Sequence, residues 1–394
     1  MLEFLLERIK TWRIERSRMK KMLMTATVPS MIGQFNMENI RILQEMGFCV
    51  HVACDFNDRS VWTDERVRRF IEELSELKVS HHQIDFSRNP LNIKKNIKAY
   101  NQLKQLIKEE KIEMLHCHTP VAGVISRLVA HRYRIRVIYT AHGFHFYNGA
   151  PKKNWLAYYP IEKFLSRWTD ILITINQEDY KRAQELHAKK VEYVPGIGVH
   201  TKEFKNVMIN RKAKRAEFGF KDIDFVFMST GQISVRKNHE VIIKALAELN
   251  NTNVKYLIAG FGEEEDRLKK LALELGVTNQ VVFAGYRNDV KELLHAVDGF
   301  AFPSLQEGLP VALMEAMAVG LPIVCSRIRG NEDLICNGVG GFLVDPYNIE
   351  GFKKGMELIV NGVSEEMGAT NIEMMKNFDI DTVNKKMRQI YRNI

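Results

Sequence analysis

Short apolar runs alternate with helical patterns along most of this 394-residue chain, and this alternation restricts the fold more than any other feature. Runs such as Cys49–Cys54 and Val137–Thr140 have the length and composition of buried strands, and amphipathic segments of helical length separate them. Strands that are each followed by a helix form parallel sheets with helices on both faces. The sequence therefore predicts an α/β protein.

The alternation breaks once and then restarts, which indicates two domains. Proline and two glycines in Val194-Pro195-Gly196-Ile197-Gly198 mark the break, and the chain is too long for one typical core. We predict an amphipathic extension at 1–18, Rossmann-like domains at 19–198 and 199–375, and a terminal helix within 376–394. Ligands of open parallel sheets bind beyond the carboxyl ends of the strands, so we expect a site in a cleft between the domains.

Positive charge is concentrated in the first half of the chain. Residues 1–200 carry 32 Lys and Arg against 22 Asp and Glu, while the net charge of the whole chain is +9. This distribution fits a partner with phosphates, namely an anionic membrane surface, a lipid diphosphate or nucleic acid, and it equally fits plain solubility. No recognition motif with interleaved aromatic residues accompanies the charge, so we expect no nucleic-acid partner.

The N-terminal segment, the length of the apolar runs and the cysteines together indicate the cellular compartment. The apolar positions of residues 1–18 repeat at helical spacing among arginines, which suits a helix on a membrane surface, whereas a start at Met19 or Met22 would make this segment a loose extension. Apolar runs fall short of the ~20 residues of a spanning helix, and no signal peptide is evident. The five cysteines lack metal-site spacing. We expect reduced thiols in a cytoplasmic protein that contacts the inner face of the plasma membrane.

The segment Ser304–Pro322 carries the strongest chemical signal. It follows the apolar run Gly299–Phe302, and Pro310 suits the first turn of a helix. The next amides, of Val311, Ala312 and Leu313, would then be unsatisfied and would form a site for a phosphate. Glu307 and Glu315 flank this site and suit hydrogen bonds from sugar or ribose hydroxyls, although capping or surface acids are the alternative.

Glu307 and Glu315 match the E-x7-E pattern of the family 4 retaining glycosyltransferases, within E-G-L-P-x4-E-A-M-A-x-G-x-P. The resemblance spans about residues 20–394, and the segments 141–147 and 158–162 are similar to bacterial exopolysaccharide and capsule enzymes. Further segments resemble landmarks of the same family: Ser229–Asn238, Ala259–Gly262, Val282–Arg287 and Tyr139–Phe144.

The resemblance implies a GT-B fold, in which two Rossmann-like domains face each other across a cleft and the last helix crosses back to the first domain. It implies transfer of a sugar from a nucleoside diphosphate, UDP-N-acetylhexosamine or UDP-hexose, to a lipid-linked or oligosaccharide acceptor in surface polysaccharide biosynthesis. No metal or other cofactor is expected, because helix amides and cations replace the ion. A nucleotide-sugar epimerase or hydrolase of the same architecture is the alternative.

The resemblance also assigns roles to residues. Lys237 and Arg236 would stabilise the charge that grows on the departing diphosphate, His142 would hydrogen-bond the reacting sugar, and Glu307 would position its hydroxyls. The alternative for Arg236 and Lys237 is an ordinary turn on a solvated surface, and the alternative for His142 is a buried histidine of the core. The expected donor-binding residues are Gly33 and Gln34 in a first-domain loop, together with Gly231, Gln232, Gly260, Tyr286, Arg287, Gly308, Leu309, Pro310, Val311, Ala312 and Glu315.

His116 and His118 share one face of a strand because side chains alternate with a period of two. Such a pair could chelate a metal, but the sequence offers no evident third ligand. We therefore predict no metal site there.

Overall fold

The computed structural model describes residues 19–205 and 207–394, apart from the side chains of 363–365. By its internal contacts the chain divides into two units. Unit 1 contains the residues up to Ile197 together with Asn384–Ile394, and unit 2 contains Gly198–Val383. The second unit thus continues past the predicted end at residue 375. The predicted amphipathic extension, 1–18, lies outside the described residues.

Unit 1 is built on a seven-stranded sheet of order β3-β2-β1-β4-β5-β6-β7, in which all neighbouring strands pair in parallel. The strands are β1 Lys21–Thr25, β2 Cys49–Cys54, β3 Ser80–Gln83, β4 Met114–His118, β5 Arg136–Ala141, β6 Ile171–Thr174 and β7 Lys190–Tyr193. The helices are α1 Pro29–Phe35, α2 Met37–Glu45, α3 Asp64–Glu76, α4 Ile93–Glu110, α5 Pro120–Tyr133, α6 Lys152–Ser166 and α7 Gln177–Ala183.

Unit 2 is built on a six-stranded parallel sheet of order β10-β9-β8-β11-β12-β13. The strands are β8 Phe225–Thr230, β9 Val254–Ala259, β10 Val281–Gly285, β11 Gly299–Phe302, β12 Ile323–Ser326 and β13 Gly341–Val344. Its helices are α8 Thr201–Lys205, α9 Arg211–Ala216, α10 His239–Leu249, α11 Glu265–Glu274, α12 Val290–Ala296, α13 Val311–Val319, α14 Asn331–Leu334, α15 Ile349–Leu358 and α16 Ser364–Met374. The last helix, α17 Ile380–Arg392, begins in unit 2 and ends in unit 1.

Burial explains why these segments adopt these elements. All residues of β2, β4 and β11 are buried, as expected for strands covered on both faces. The helices bury one stripe; in α4 it consists of Ala99, Leu103, Leu106 and Ile107. The short edge strand β3 alternates between partly buried and exposed positions, so it lacks the apolar run by which the other strands are recognised.

The end of α17 belongs to unit 1. Within that unit, the Tyr391 hydroxyl is 2.9 Å from His116 Nδ1, and Lys386 Nζ is 2.7 Å from a Glu192 carboxylate oxygen. Arg388 pairs with Glu45. These contacts attach residues 384–394 to the sheet of the first unit.

Each sheet has one point where the strand order reverses, between β1 and β4 in unit 1 and between β8 and β11 in unit 2. Adjacent loops at such a point leave the sheet in opposite directions, and this opens a crevice at the carboxyl ends of the strands. The loops that follow these four strands are therefore the places to look for bound ligands.

A buried ion pair joins α5 to α6. Arg127 Nη1 and Nη2 donate to the two Glu162 carboxylate oxygens at 2.8 and 3.0 Å, and Arg127 Nε donates to the Gly123 carbonyl at 3.0 Å. The guanidinium lies 4.1 Å from the centroid of the Tyr139 ring. Both charged side chains are almost inaccessible to solvent, so each depends on the other for compensation.

We expect Glu162→Leu to lower the free energy of unfolding of unit 1 by about 3–5 kcal/mol, because it leaves a buried guanidinium unpaired. The double variant Arg127→Met/Glu162→Leu should lose much less, since no buried charge is left. All four tryptophans precede residue 198, so their fluorescence during urea unfolding follows this unit. Equal losses in the single and double variants would contradict the prediction.

Candidate active site

The loop between β11 and α13 presents an uncapped helix start. Helix α13 begins at Val311, and Pro310 precedes it in an extended conformation (φ −79°, ψ 118°) instead of lying in the first turn as predicted. The first intrahelical bond runs from Met314 N to Pro310 O, 3.2 Å. The amides of the first three helical residues therefore have no partner within the helix, and no side chain in the described part of the chain caps them. Such a helix start is suited to an anion.

Gly308 and Leu309 are held in place by the loop that follows β12. Arg329 Nε donates to the Glu307 carbonyl at 3.2 Å, and Leu309 is buried. The backbones pack so closely that a Cβ atom on Gly330 would lie 2.2 Å from the Gly308 carbonyl oxygen. The position of the helix start is thus fixed by backbone packing.

Three predicted catalytic residues meet beside this helix. Arg236 and Lys237 lie in a single 3₁₀ turn, Val235–Lys237, after β8. Lys237 Nζ is 2.9 Å and Arg236 Nη1 is 2.7 Å from Glu307 Oε1. The two cations therefore share one carboxylate oxygen. Arg236 also donates to the Gln306 carbonyl at 2.9 Å.

Lys237 is the buried member of this triad. Its ammonium lies 4.5 Å from the centroid of the Phe302 ring, and only 11% of its side chain is exposed, against 46% for Arg236. Burial lowers the pKa of Lys237, while the charge of Glu307 opposes that shift and favours the ammonium form. A cation at this position acts in a medium that screens it less than water does.

The loops after β8 and β9 touch through their backbones. A Cβ atom on Gly260 would lie 1.8 Å from the Gly231 carbonyl oxygen, and Gly231 itself has φ +128°. Glycine is therefore required at 260 for close approach and is favoured at 231 by the backbone angle. Gln232 Nε2 donates to Glu263 Oε2 at 3.2 Å.

The loop after β10 brings an exposed ring and an arginine with acidic partners. Tyr286 is 71% exposed and packs edge-on against the exposed Phe261, with 6.2 Å between ring centroids. Arg287 donates to both Asp289 carboxylate oxygens, at 2.7 and 2.5 Å, and to Glu217 at 3.0 Å. The Tyr286 ring is thus available for stacking, whereas the guanidinium of Arg287 already has acidic partners.

Glu315 lies on α13, four residues after the helix start at Val311. Burial raises the pKa of its carboxyl group to about 7, and Lys291 partly opposes this shift. A carboxylate in such a place is stabilised by groups that donate hydrogen bonds to it.

In unit 1 the predicted His142 is paired with a second histidine. His142 Nε2 lies 3.0 Å from His118 Nδ1, and burial lowers the pKa of His142 to about 4, so the ring is neutral at pH 7. His118 Nε2 is buried, and the described residues offer it no hydrogen-bond partner. The next residue, Thr119, has φ +64°, which is unusual for a β-branched residue and is typical of functional loops.

His118 is the site residue whose role the sequence did not show. Its period-two spacing with His116 was visible, but that spacing suggested only a metal chelate. In the structure both ring nitrogens of His116 have protein partners, Tyr391 at 2.9 Å and Thr140 at 2.8 Å. The His142 loop is held by Asp179 in the first turn of α7, which accepts from Phe144 N at 3.1 Å and from Asn176 Nδ2 at 2.8 Å.

The prediction that Gly33 and Gln34 form a loop is wrong. Both lie inside α1, and a Cβ atom on Gly33 would lie 2.4 Å from the Trp62 ring. Gly33 is thus needed for the packing of Trp62. Helix α1 has only seven residues, and the sequence here did not predict it. A role of Gly33 and Gln34 in donor binding stays a prediction.

One group of potential metal ligands occurs among the described residues. His51, His82 and Glu110 have ligand atoms within 4.8 Å of one another. The two rings share a hydrogen bond of 3.0 Å, and Glu110 pairs with Lys21. Glu110 ends α4 and Lys21 begins β1, so this group lies towards the amino edge of the sheet. Independence from metals stays a prediction.

The close contact at Gly260 can be tested by adding a methyl group. We expect Gly260→Ala to lower the free energy of unfolding of unit 2 by about 3 kcal/mol, because two backbones must separate. Gly276→Ala is the matched control: Gly276 has φ +71° but open space around its Cβ position, so the cost should be about 1 kcal/mol. Thermal unfolding followed by circular dichroism measures both, and equal costs would contradict the predicted clash.

Two family models match the chain, one in each unit. Residues 31–176 match the model described as glycosyl transferase 4-like, and residues 210–373 match the model described as glycosyl transferases group 1. The first matched region contains β2 to β6 of unit 1. The second contains all six strands of unit 2 and the triad of Arg236, Lys237 and Glu307.

Similar proteins carry related names. A protein named as the glycosyltransferase EpsD of Bacillus subtilis is 36% identical over 346 residues, which are 86% of this chain and 87% of that protein. A UDP-Gal:α-D-GlcNAc-diphosphoundecaprenol α-1,3-galactosyltransferase of Escherichia coli is 31% identical over 271 residues, which are 66% of this chain and 70% of that one.

Among solved structures, Anabaena HepE in complex with UDP and glucose superposes with a TM-score of 0.77 at 18% identity, covering 95% of this chain and 100% of that one. A glycosyltransferase from Rickettsia africae has a TM-score of 0.74 at 17% identity, covering 95% and 98%. These likenesses confirm the predicted GT-B fold. Together with the family models and the EpsD match, they show that the chain is a glycosyltransferase of family 4, the group 1 glycosyltransferases.

Proposed function

We propose that this enzyme is a retaining glycosyltransferase that moves a sugar from a UDP-hexose or UDP-N-acetylhexosamine to a lipid-linked glycan in surface polysaccharide biosynthesis. The observation that carries the proposal is the uncapped start of α13 beside Lys237 and Arg236, at the strand-order reversal of unit 2. Three amides and two cations converge there, which is a set of groups that fits a diphosphate.

The arrangement favours catalysis by charge stabilisation. When the bond between sugar and diphosphate breaks, negative charge grows on the departing oxygen. A fixed, buried ammonium such as that of Lys237 stabilises this charge more than it stabilises the intact donor. The amides of α13 would hold the diphosphate in the same place, so that no metal ion is needed for this task.

Glu307 suits a positioning role better than nucleophilic attack. Its Oε1 already accepts hydrogen bonds from both cations, which lowers its tendency to form a bond to carbon. In the proposed reaction Glu307 holds sugar hydroxyls, and the departing phosphate takes the proton of the acceptor hydroxyl on the same face of the ring. Double displacement would instead need two carboxyl groups about 5 Å apart.

One relative and the charge distribution support a lipid-linked acceptor, and one structural neighbour supports a UDP-linked donor. The name of the E. coli relative specifies a sugar diphosphoundecaprenol acceptor, and the HepE structure contains UDP. The first half of the chain carries the excess of positive charge, which suits peripheral contact with an anionic membrane. None of the helices in the described residues is both long and apolar enough to span a bilayer.

The role of Lys237 can be separated from folding. We expect Lys237→Ala to lower kcat by about 10²–10³-fold, because the missing charge acts mainly in the transition state, and to weaken binding of the donor much less. Lys212→Ala removes a cation of unit 2 that is 83% exposed and should leave both quantities unchanged. Kinetics with nucleotide sugars and calorimetric donor affinities measure this; a covalent sugar trapped on Glu307 would overturn the mechanism.

The same assay distinguishes the alternative enzyme class. The protein is first incubated with nucleotide sugars alone. We expect the donor to stay intact until a glycan acceptor is added, because the proposed reaction needs the acceptor hydroxyl. Rapid release of free nucleotide or an epimerised donor, without any acceptor, would instead indicate a hydrolase or epimerase.

Donor binding should depend on pH through Glu315. Ribose hydroxyls donate to the carboxylate form, and burial raises the pKa of the group to about 7, so affinity should be nearly full at pH 8 and fall as the pH drops through 7. We expect binding of UDP-glucose, which has no group that titrates in this range, to weaken about tenfold from pH 8 to pH 6. Calorimetry measures the affinity. Glu315→Gln should bind more weakly and without this dependence, and an unchanged slope in that variant would exclude the assignment.

A further inference from the structure

Unit 1 carries an exposed apolar groove between the first halves of α4 and α5. Its volume is about 380 Å³. Ile161 of α6 closes one side. The other walls come mainly from aliphatic side chains and one tyrosine: Ile93, Ile97, Tyr100, Val121, Val124 and Leu128.

The groove leaves large apolar side chains in contact with water. Ile93 is 66% exposed, Ile97 57% and Ile161 47%, and Leu91 beside them is also exposed. Within the described part of unit 1 no other element covers them. Contiguous exposed apolar surface of this kind usually marks a binding site, because hydration of the side chains is unfavourable.

The groove begins at the edge of the sheet that carries the paired His118 and His142. In a parallel sheet each helix starts where the preceding strand ends, so Ile93 and Val121 both lie near the carboxyl edge. Only Thr119 and Pro120 separate Val121 from His118, which pairs with His142. From that edge the groove follows α4 and α5 towards the other side of the unit.

The segments that form the groove contain no acidic residue. Residues 86–108 include Arg88 and five lysines but neither Asp nor Glu, and the same absence extends over residues 114–161. Lys94 is exposed beside the apolar rim, as are Lys152 and Lys153 at the start of α6. Two of the five lysines are paired, Lys95 with Asp55 and Lys98 with Asp85, so the excess positive charge comes from the others. An apolar groove with an excess of cations nearby complements a molecule that has a long apolar chain and an anionic head.

We propose that this groove binds the polyprenyl chain of a lipid diphosphate acceptor, with the diphosphate near the lysines and the glycan at the His118–His142 edge. The inference rests on the proposed transfer to a lipid-linked glycan. Branched isoprenoid units are apolar like the Ile, Val and Leu side chains that line the groove, and their burial there removes the exposed side chains from water. The bound polyprenyl chain then fixes which end of the acceptor faces His118 and His142.

Binding can be measured without turnover. The probes are geranylgeranyl diphosphate and inorganic diphosphate, titrated calorimetrically into the full chain below the critical micelle concentration. We expect the prenyl compound to bind at least about tenfold more tightly than diphosphate, and Ile97→Ser/Val124→Ser to abolish this difference. Leu273→Ser, which removes an exposed leucine of unit 2, is the matched control and should change nothing. Ile161→Ser provides a second groove variant should the double variant unfold.

Turnover separates failure of the groove from failure of the proposed function. The acceptors are N-acetylglucosaminyl diphosphates with a farnesyl or a methyl group. We expect the groove variants to lower kcat/KM about tenfold for the farnesyl compound only. Transfer to both compounds at equal rates, unaffected by the variants, would overturn the groove proposal and leave the function intact. Transfer to neither compound, with prenyl binding retained, would count against the proposed acceptor class.

Two other occupants would give different results. If the prenyl probe binds only after deletion of residues 1–18, that segment of the chain occupies the groove and the proposal is wrong. If phosphatidylglycerol vesicles bind in a manner that depends on Ile97 and Val124 while the prenyl probe does not, the groove is a bilayer contact and the proposal is again wrong.

Discussion

Parallel pairing in both sheets is the constraint on which the rest of the structure depends. Because every strand of a sheet points the same way, all the loops after the strands lie at one edge, and the single reversal of strand order separates two of them. In unit 2 these loops carry the Arg236–Lys237 turn and the start of α13. Residues that are far apart in sequence, such as Lys237 and Glu307, can therefore share a hydrogen bond of 2.9 Å.

The charges of Arg236, Lys237 and Glu307 at that edge cost free energy to bury, but they also suit the binding of an anionic substrate. Burial of the Lys237 ammonium is unfavourable, and Glu307 offsets it. A diphosphate carries the same sign of charge as Glu307 and offers more acceptor oxygens. In the proposed reaction it would therefore bind beside Glu307 and share both cations, while Glu307 keeps its bonds to them and accepts further bonds from sugar hydroxyls. If the proposal holds, the triad keeps the cations in place for the substrate.

The sequence predicted what depends on periodicity and missed what depends on packing. The apolar runs at β2 and β11 were recognised with their observed bounds, and the motif around Glu307 indicated the helix start. In contrast, the polar edge strand β3 has no apolar run, and Gly33 serves the packing of Trp62. The His118–His142 bond joins neighbouring strands, and the partners of Arg287 include Glu217, far away in sequence. Such pairings become visible only once the strands are placed.

The last helix gives the chain an unusual order of assembly. Unit 1 includes residues 384–394, and Tyr391 supplies a hydrogen bond to the buried His116. During synthesis these residues emerge from the ribosome only after all of unit 2 has been made. The first unit to be translated is thus the last to be completed, and a chain interrupted before Tyr391 would leave the buried Nδ1 of His116 without its partner.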